Sequence, residues 1–157
     1  MKRLIALLLL ALPILAGAQT TTPPIKVFGI PLGITVGEFR TKVEAVNEKL
    51  PALLGEYKAD IILHMYESYG SDDIVWQVTI RTESKYGMAV TAGYKITSIL
   101  SAKYGAPKES YNTKTPCLRW DLKNGYIITW YNDSSFYAQF IDYSALKKAH
   151  PELYKGL

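Results

Sequence analysis

Apolar residues recur at helical spacing after a capping pattern near the start of the chain. Thr35-Val36-Gly37-Glu38 is a capping box, in which the Thr hydroxyl and the Glu carboxylate pair with backbone amides at a helix start. An apolar stripe follows at Phe39, Val43, Val46 and Leu50, and Pro51 ends it. The pattern predicts a first amphipathic helix.

A second helix is predicted from Ala89 to Tyr104. Gly105 and Pro107 stop it, because glycine takes the left-handed position after a helix and proline bars continuation. A further short helix is predicted from Ser144 to His150, before Pro151. The residues expected to point inward from the second helix are Ala92, Ile96, Ile99 and Leu100.

Several segments alternate in the manner of strands, and turn residues separate them. Asn124-Gly125 is a hairpin signal, since both residues tolerate positive φ. A second turn is predicted at residues 132–135. The predicted strands are 25–32, 59–66, 74–81, 117–122, 126–131 and 136–143.

This order of elements predicts an α+β fold: a two-layer sandwich in which two helices cover one face of an antiparallel sheet of about five strands. We expect residues 1–18 to be a signal peptide, residues 19–24 a Thr/Pro linker and residues 25–157 a single domain.

The expected signal peptide has a cationic start at Lys2 and Arg3, an apolar run, and small residues at Ala16 and Ala18. The run is shorter than the roughly 20 residues of a membrane-spanning helix. Ala18 stands where a lipidated cysteine would be. The sequence therefore predicts a periplasmic or secreted protein with no membrane span after cleavage.

Composition argues against several classes of function. Without Lys2 and Arg3 the chain has 16 basic and 14 acidic residues, and they are scattered, so no nucleic-acid partner is expected. The only two histidines, His64 and His150, and the only cysteine, Cys117, cannot supply the spacing of a metal site. No cofactor is expected. A thiol enzyme using Cys117 and His64 is the least favoured hypothesis, because lone cysteines are usually buried.

Tyrosine is abundant, with 12 residues beside 3 tryptophans. Strand alternation predicts that several tyrosines share the sheet face turned away from the helices with polar and cationic residues. Tyr and Arg are enriched at the centres of protein interfaces, although tyrosine also simply suits strands. The predicted partner-binding residues are His64, Tyr66, Gln77, Arg81, Arg119, Tyr131, Tyr137, Gln139 and Tyr143.

Two stretches resemble known proteins. Phe28-Gly-Ile-Pro-Leu-Gly-Ile-Thr-Val-Gly-Glu-Phe39 is similar to the opening of a group of small exported bacterial proteins. A set of later segments is similar to the second half of that group: Leu100-Ser-Ala-Lys-Tyr-Gly-Ala-Pro107, Trp120, Gly125-Tyr-Ile-Ile128 and Ile141-Asp-Tyr143. More distantly, the Gly-x-Thr-x-x-Glu helix start and the Tyr-Gly-x-Pro helix end resemble the BamE (SmpA/OmlA) domain and the β-lactamase inhibitor protein fold.

The resemblance implies a helices-on-sheet module that binds proteins through an exposed surface. Because BamE is a lipoprotein and Ala18 removes that anchor, a role in barrel assembly is weakened. We therefore expect a non-enzymatic module that binds a protein or cell-envelope partner. The alternative is a glycan-binding module, because aromatic strand residues can also stack on sugars.

Overall fold

The computed structural model describes residues 22–47, 59–62, 72–83, 88–112, 115–132 and 135–154. The elements are β1 Lys26–Val27, β2 Ile30–Pro31, α1 Val36–Asn47, β3 Ala59–Ile62, β4 Gln77–Glu83, α2 Met88–Tyr104, β5 Lys108–Asn112, β6 Thr115–Leu122, β7 Gly125–Asn132, β8 Ser135–Asp142 and α3 Tyr143–Ala149, followed by a 3-10 turn at Pro151–Tyr154. The predicted signal peptide lies outside the described residues.

Within the described ranges, six antiparallel strands form the main sheet in the order β3-β4-β8-β7-β6-β5. The last four strands make a meander, and α2 carries the chain from β4 in the sheet interior to β5 at the far edge. The predicted α+β class is confirmed. The additional strand, β5, was missed because its Lys-Glu-Ser-Tyr-Asn sequence has no apolar alternation.

The single strand predicted over residues 25–32 is instead a hairpin. β1 and β2 pair antiparallel, and Phe28 and Gly29 form the turn between them with φ of 48° and 86°. Positive φ at both central residues is the geometry of a type I′ turn. Phenylalanine rarely adopts such a φ, but the Phe28 side chain packs against the core.

The first helix begins at the predicted position, and the Thr35 half of the capping box is present, while the Glu38 carboxylate lies 4.0 Å from Lys42 Nζ. The Glu38 amide donates to Thr35 Oγ1 at 3.3 Å, and Phe39 and Val43 are buried. In α2, Ala92, Ile96 and Leu100 are buried as expected.

The predicted inward position of Ile99 is wrong. Its side chain is 51% exposed, because it lies on the flank of α2 away from the buried stripe. The helix ends at Tyr104, and Gly105 has the left-handed φ of 86° that the stop signal requires.

One hydrophobic cluster joins the helices to one face of the sheet. It combines α1 and α2 side chains with inward strand residues such as Ile80, Ile127 and Phe136. Gly93 is needed at the contact of α2 with the sheet, because a Cβ there would collide with Phe136 and with the Tyr131 hydroxyl. Among the described helices, none is long and apolar enough to cross a membrane.

The buried carboxylate of Asp142 connects three parts of the chain at one end of the sheet: the segment at Ile25, the turn at Asn124 and the start of α3. Asp142 is 1% exposed, and its Oδ2 accepts from the Ile25 amide and from Asn124 Nδ2, both at 2.8 Å. Its Oδ1 accepts from the amides of Ser144 and Ala145 at 2.9 and 3.0 Å, which caps α3. Four donors thus satisfy a group whose burial would otherwise be costly.

Candidate functional site: the open face of the sheet

The sheet face turned away from the hydrophobic cluster, here called the open face, is organised in rows that run across the strands. Residues directly paired on neighbouring antiparallel strands share a face, so the strand register defines the rows. The described side chains fall into three rows: Arg81, Tyr137, Trp130, Cys117 and Ser110; Thr79, Gln139, Ile128, Arg119 and Lys108; and Gln77, Ile141, Tyr126 and Asp121.

The first row contains a run of aromatic and cationic groups. The rings of Trp130 and Tyr137 are stacked, with centroids 5.1 Å apart and planes 6° from parallel. The Arg81 guanidinium lies 6.0 Å from the Tyr137 ring centroid, at the outer limit of a cation–π contact. All three side chains are half-buried. Three adjacent strands thus present a continuous row of two aromatic rings with a cation at its end. This row of Trp130, Tyr137 and Arg81 is here called the ridge.

A cluster of charged side chains occupies the opposite end of the open face. Arg119 Nε and Lys108 Nζ lie 2.7 and 3.0 Å from the two carboxylate oxygens of Asp121. The Arg119 guanidinium also lies 4.2 Å from the Tyr126 ring centroid. Tyr143, at the start of α3, meets Tyr126 edge-on at 6.1 Å.

Hydrogen bonding in this charged cluster shifts the pKa of both main partners. The bond to Asp121 is the largest cause that raises the pKa of Arg119 above its usual value. The bonds from Arg119 and then Lys108 lower the pKa of Asp121 below its ordinary 3.8. Burial raises the pKa of Tyr126. The cluster therefore keeps its charges, and the adjacent phenol of Tyr126 stays neutral and able to donate.

The centre of the open face is closely packed. Thr79, Ile128 and Cys117 are buried there, and Gln139 Nε2 donates to Thr79 Oγ1 at 3.5 Å. Cys117 is a free thiol, buried as the sequence led us to expect.

Most predicted residues that the structure describes do come together. Gln77, Arg81, Arg119, Tyr137 and Gln139 lie on the open face. Tyr143 borders that face from α3. His64 and Tyr66 lie outside the described residues.

The predicted position of Tyr131 on the open face is wrong. Tyr131 pairs with Phe136 across β7 and β8, and its ring lies 5.0 Å from the Phe136 ring on the helix side. Trp130 takes the open-face position instead, and Tyr126 with it. The hairpin pairs Trp120 with Ile127, so odd-numbered β7 residues share the inward face of Trp120. Extending the strand alternation from Trp120 across the Asn124-Gly125 turn would have placed both Tyr126 and Trp130 on the open face.

The open face offers ring surfaces, hydrogen-bond donors and fixed charges. Within the described ranges, no three His, Cys, Asp or Glu side chains are grouped so that they could hold a metal ion. His150, the histidine that the structure describes, lies 3.2 Å from a Glu152 carboxylate oxygen and packs edge-on against Trp76. Ring surfaces, hydrogen-bond donors and charges of this kind can contact another molecular surface.

The described elements define a two-layer α+β protein with an aromatic and charged sheet face. Comparison of the chain with protein-family models, with curated proteins and with solved structures finds no match.

Proposed function

We propose that this protein is an exported, non-enzymatic binding module that recognises a protein or cell-envelope partner through the open face. The leader-like pattern of residues 1–18 supports export to the periplasm or the outside. The observation that carries the proposal is the in-register ridge of Arg81, Tyr137 and Trp130 across three adjacent strands.

The composition of the ridge matches what interfaces use for affinity. Trp, Tyr and Arg side chains offer large, rigid contact areas with a polar tip, and they dominate the residues whose truncation weakens binding. Half-burial favours the same role, because side chains already held by neighbours lose little rotamer freedom when a partner binds. The charged cluster at the other end would set the orientation of a partner.

The glycan-binding alternative has less support. A sugar stacks on the flat face of an aromatic ring, whereas Trp130 and Tyr137 turn one face each toward the other. The remaining face of Tyr137 is on the side of Arg81. The thiol-enzyme alternative has less support still, because Cys117 is buried, whereas reactive cysteines are partly exposed.

The test is affinity capture from an envelope extract, with bound proteins identified by mass spectrometry. The double variant Arg81→Ala/Tyr137→Ala should lose the partners that the native protein retains. Ile99→Ala is the matched control, since Ile99 lies on α2, on the helix side of the sheet, and is 51% exposed. It removes an exposed side chain away from the open face and should capture the same partners.

Identical capture by the open-face variant and the native protein would refute the proposal. If only a glycan array shows specific binding, and that binding is lost in the double variant, the glycan alternative takes its place.

A further inference from the structure

A cleft of about 210 Å³ opens on the helix side of the sheet, away from the open face. It lies between the flank of α2 and strands β6 and β7. Its lining includes Tyr94, Thr97, Pro116, Leu118, Thr129 and Tyr131.

The cleft exists because α2 covers only part of the sheet. The helix packs on β4 and β8, near the middle of the sheet, whereas β6 lies two strands further out. Gly93 lets the rings of Phe136 and Tyr131 press against the helix, and this contact forms one end of the cleft. The half-buried Leu118 lies on the β6 side. Packing on both sides therefore holds the cleft in shape.

The lining is mostly apolar, with a few hydroxyl groups. Among the described residues that line the cleft, none carries a charged side chain. Tyr94 is 69% exposed, so much of its ring faces solvent, whereas the Tyr131 hydroxyl lies against Gly93 of α2. Burial raises the pKa of Tyr131, which keeps that phenol neutral. A buried ion would find no counter-charge here, so a neutral ligand is favoured.

The volume sets the size of that ligand. An apolar cavity of about 150 Å³ accepts one benzene ring. A cleft of about 210 Å³ has room for a second fused ring. Ligand sites are typically apolar with a few placed polar groups, and the hydroxyls of Tyr94 and Thr97 can serve a single polar atom of the ligand.

We propose that this cleft binds a neutral bicyclic aromatic small molecule of the size of indole. The ligand inserts between Leu118 and Thr97, and its polar atom lies toward the Tyr94 hydroxyl.

The surroundings favour a free molecule over a partner protein. Exposed polar residues lie next to the lining residues on both elements: Thr91, Lys95 and Ser98 are close to Tyr94 along α2, and Glu109 on β5 pairs with Leu118. The apolar contact area is thus confined to the cleft, whereas a stable protein interface buries about 800 Å² on each partner.

The experiment is titration of the purified protein with indole by calorimetry, with the amide NMR signals of Thr97 and Thr129 as site reporters. We expect saturable binding at about 1 mM or tighter, within the reach of a fragment-sized ligand. Thr97→Phe fills the cleft and should weaken binding at least about tenfold. Ile99→Ala, on the other flank of α2, should leave the affinity unchanged. Circular dichroism checks that Thr97→Phe is folded. Tyr94→Ala is a second variant of the cleft, expected to bind several-fold more weakly, and it keeps the test valid if Thr97→Phe misfolds.

Absence of saturable binding would overturn the proposal. So would binding that neither Thr97→Phe nor Tyr94→Ala weakens. Tighter binding of N-acetyltryptophanamide than of indole would overturn the assignment to a free molecule and point to a tryptophan side chain of a partner.

Discussion

The two faces of the sheet are built from the same strands but differ in composition and burial. In β8, Phe136, Ala138 and Phe140 are buried against the helices, while Tyr137 and Gln139, which alternate with them, are half-buried on the open face. Apolar burial on the first face supplies most of the folding free energy. On the second face, exposed ion pairs and partly buried rings contribute little to stability. Stability and the proposed recognition should therefore be separable by mutation of adjacent residues.

The largest expected effect on stability comes from truncating a buried side chain on the helix side of β8. Phe136 is fully buried between α2 and β7, and Phe136→Ala should lower the free energy of unfolding by about 3–5 kcal/mol. Urea denaturation followed by circular dichroism measures this change. A loss as small as that of a surface substitution would show that the hydrophobic cluster does not carry the fold.

The second largest expected effect on stability concerns Asp142, whose carboxylate joins the end of the sheet to the N-terminal segment at Ile25. Asp142→Asn replaces one acceptor oxygen by an amide, while the Ile25 amide and Asn124 Nδ2 both still need an acceptor. The free energy of unfolding should fall by about 2–4 kcal/mol, because charge-assisted bonds are lost and a buried donor is left unmatched. Urea denaturation measures this change as well.

Asp121→Asn is the matched control, since it makes the same chemical change at an exposed carboxylate. Equal stability losses in the Asp142 and Asp121 variants would contradict the structural role assigned to Asp142.

Local sequence signals predicted the fold well. Thr35 caps α1, Gly105 ends α2, and the alternation of Leu118, Trp120 and Leu122 against Arg119 and Asp121 is the one the structure has. These features depend on interactions within a few residues, which a single sequence displays.

Features that depend on contacts between distant residues were not predictable in the same way. Nothing local marks Asp142 as the acceptor for Ile25, 117 residues earlier in the chain. Phe28 adopts a positive φ because its side chain packs on the core, against its intrinsic preference. The position of Tyr131 is different, since the register of one hairpin decides it.

Tyr137→Ala tests the separation of the two faces most directly. Its neighbour Phe136 points to the core, but Tyr137 is held by Trp130 on one side and by Arg81 on the other. A cross-strand pair contributes at most about 1 kcal/mol, so the free energy of unfolding should fall by about that amount. Urea denaturation of Tyr137→Ala and of Phe136→Ala gives the difference between the two faces in their contribution to the free energy of unfolding. A loss approaching that of Phe136→Ala would mean that the open face is part of the core.

The smallest effect is a pH dependence that the charged cluster imposes on stability. Arg119 and Lys108 lower the pKa of Asp121 below its ordinary 3.8 in the folded protein. A depressed carboxyl pKa stabilises the folded state above the unfolded-state pKa, and this stabilisation is lost as pH falls through the folded-state pKa. The native protein should therefore exceed Asp121→Asn in stability near neutral pH and lose that advantage below about pH 4.

Thermal unfolding of both proteins between about pH 6 and about pH 2 measures this difference. Because the pair is exposed, added salt should shrink the advantage at neutral pH as well. An advantage that persists at the acid end would assign the effect of Asp121 to packing and not to its charge. If added salt weakens partner capture as well as this stability advantage, the charged cluster acts in recognition too, since salt screens the charge complementarity that orients a partner.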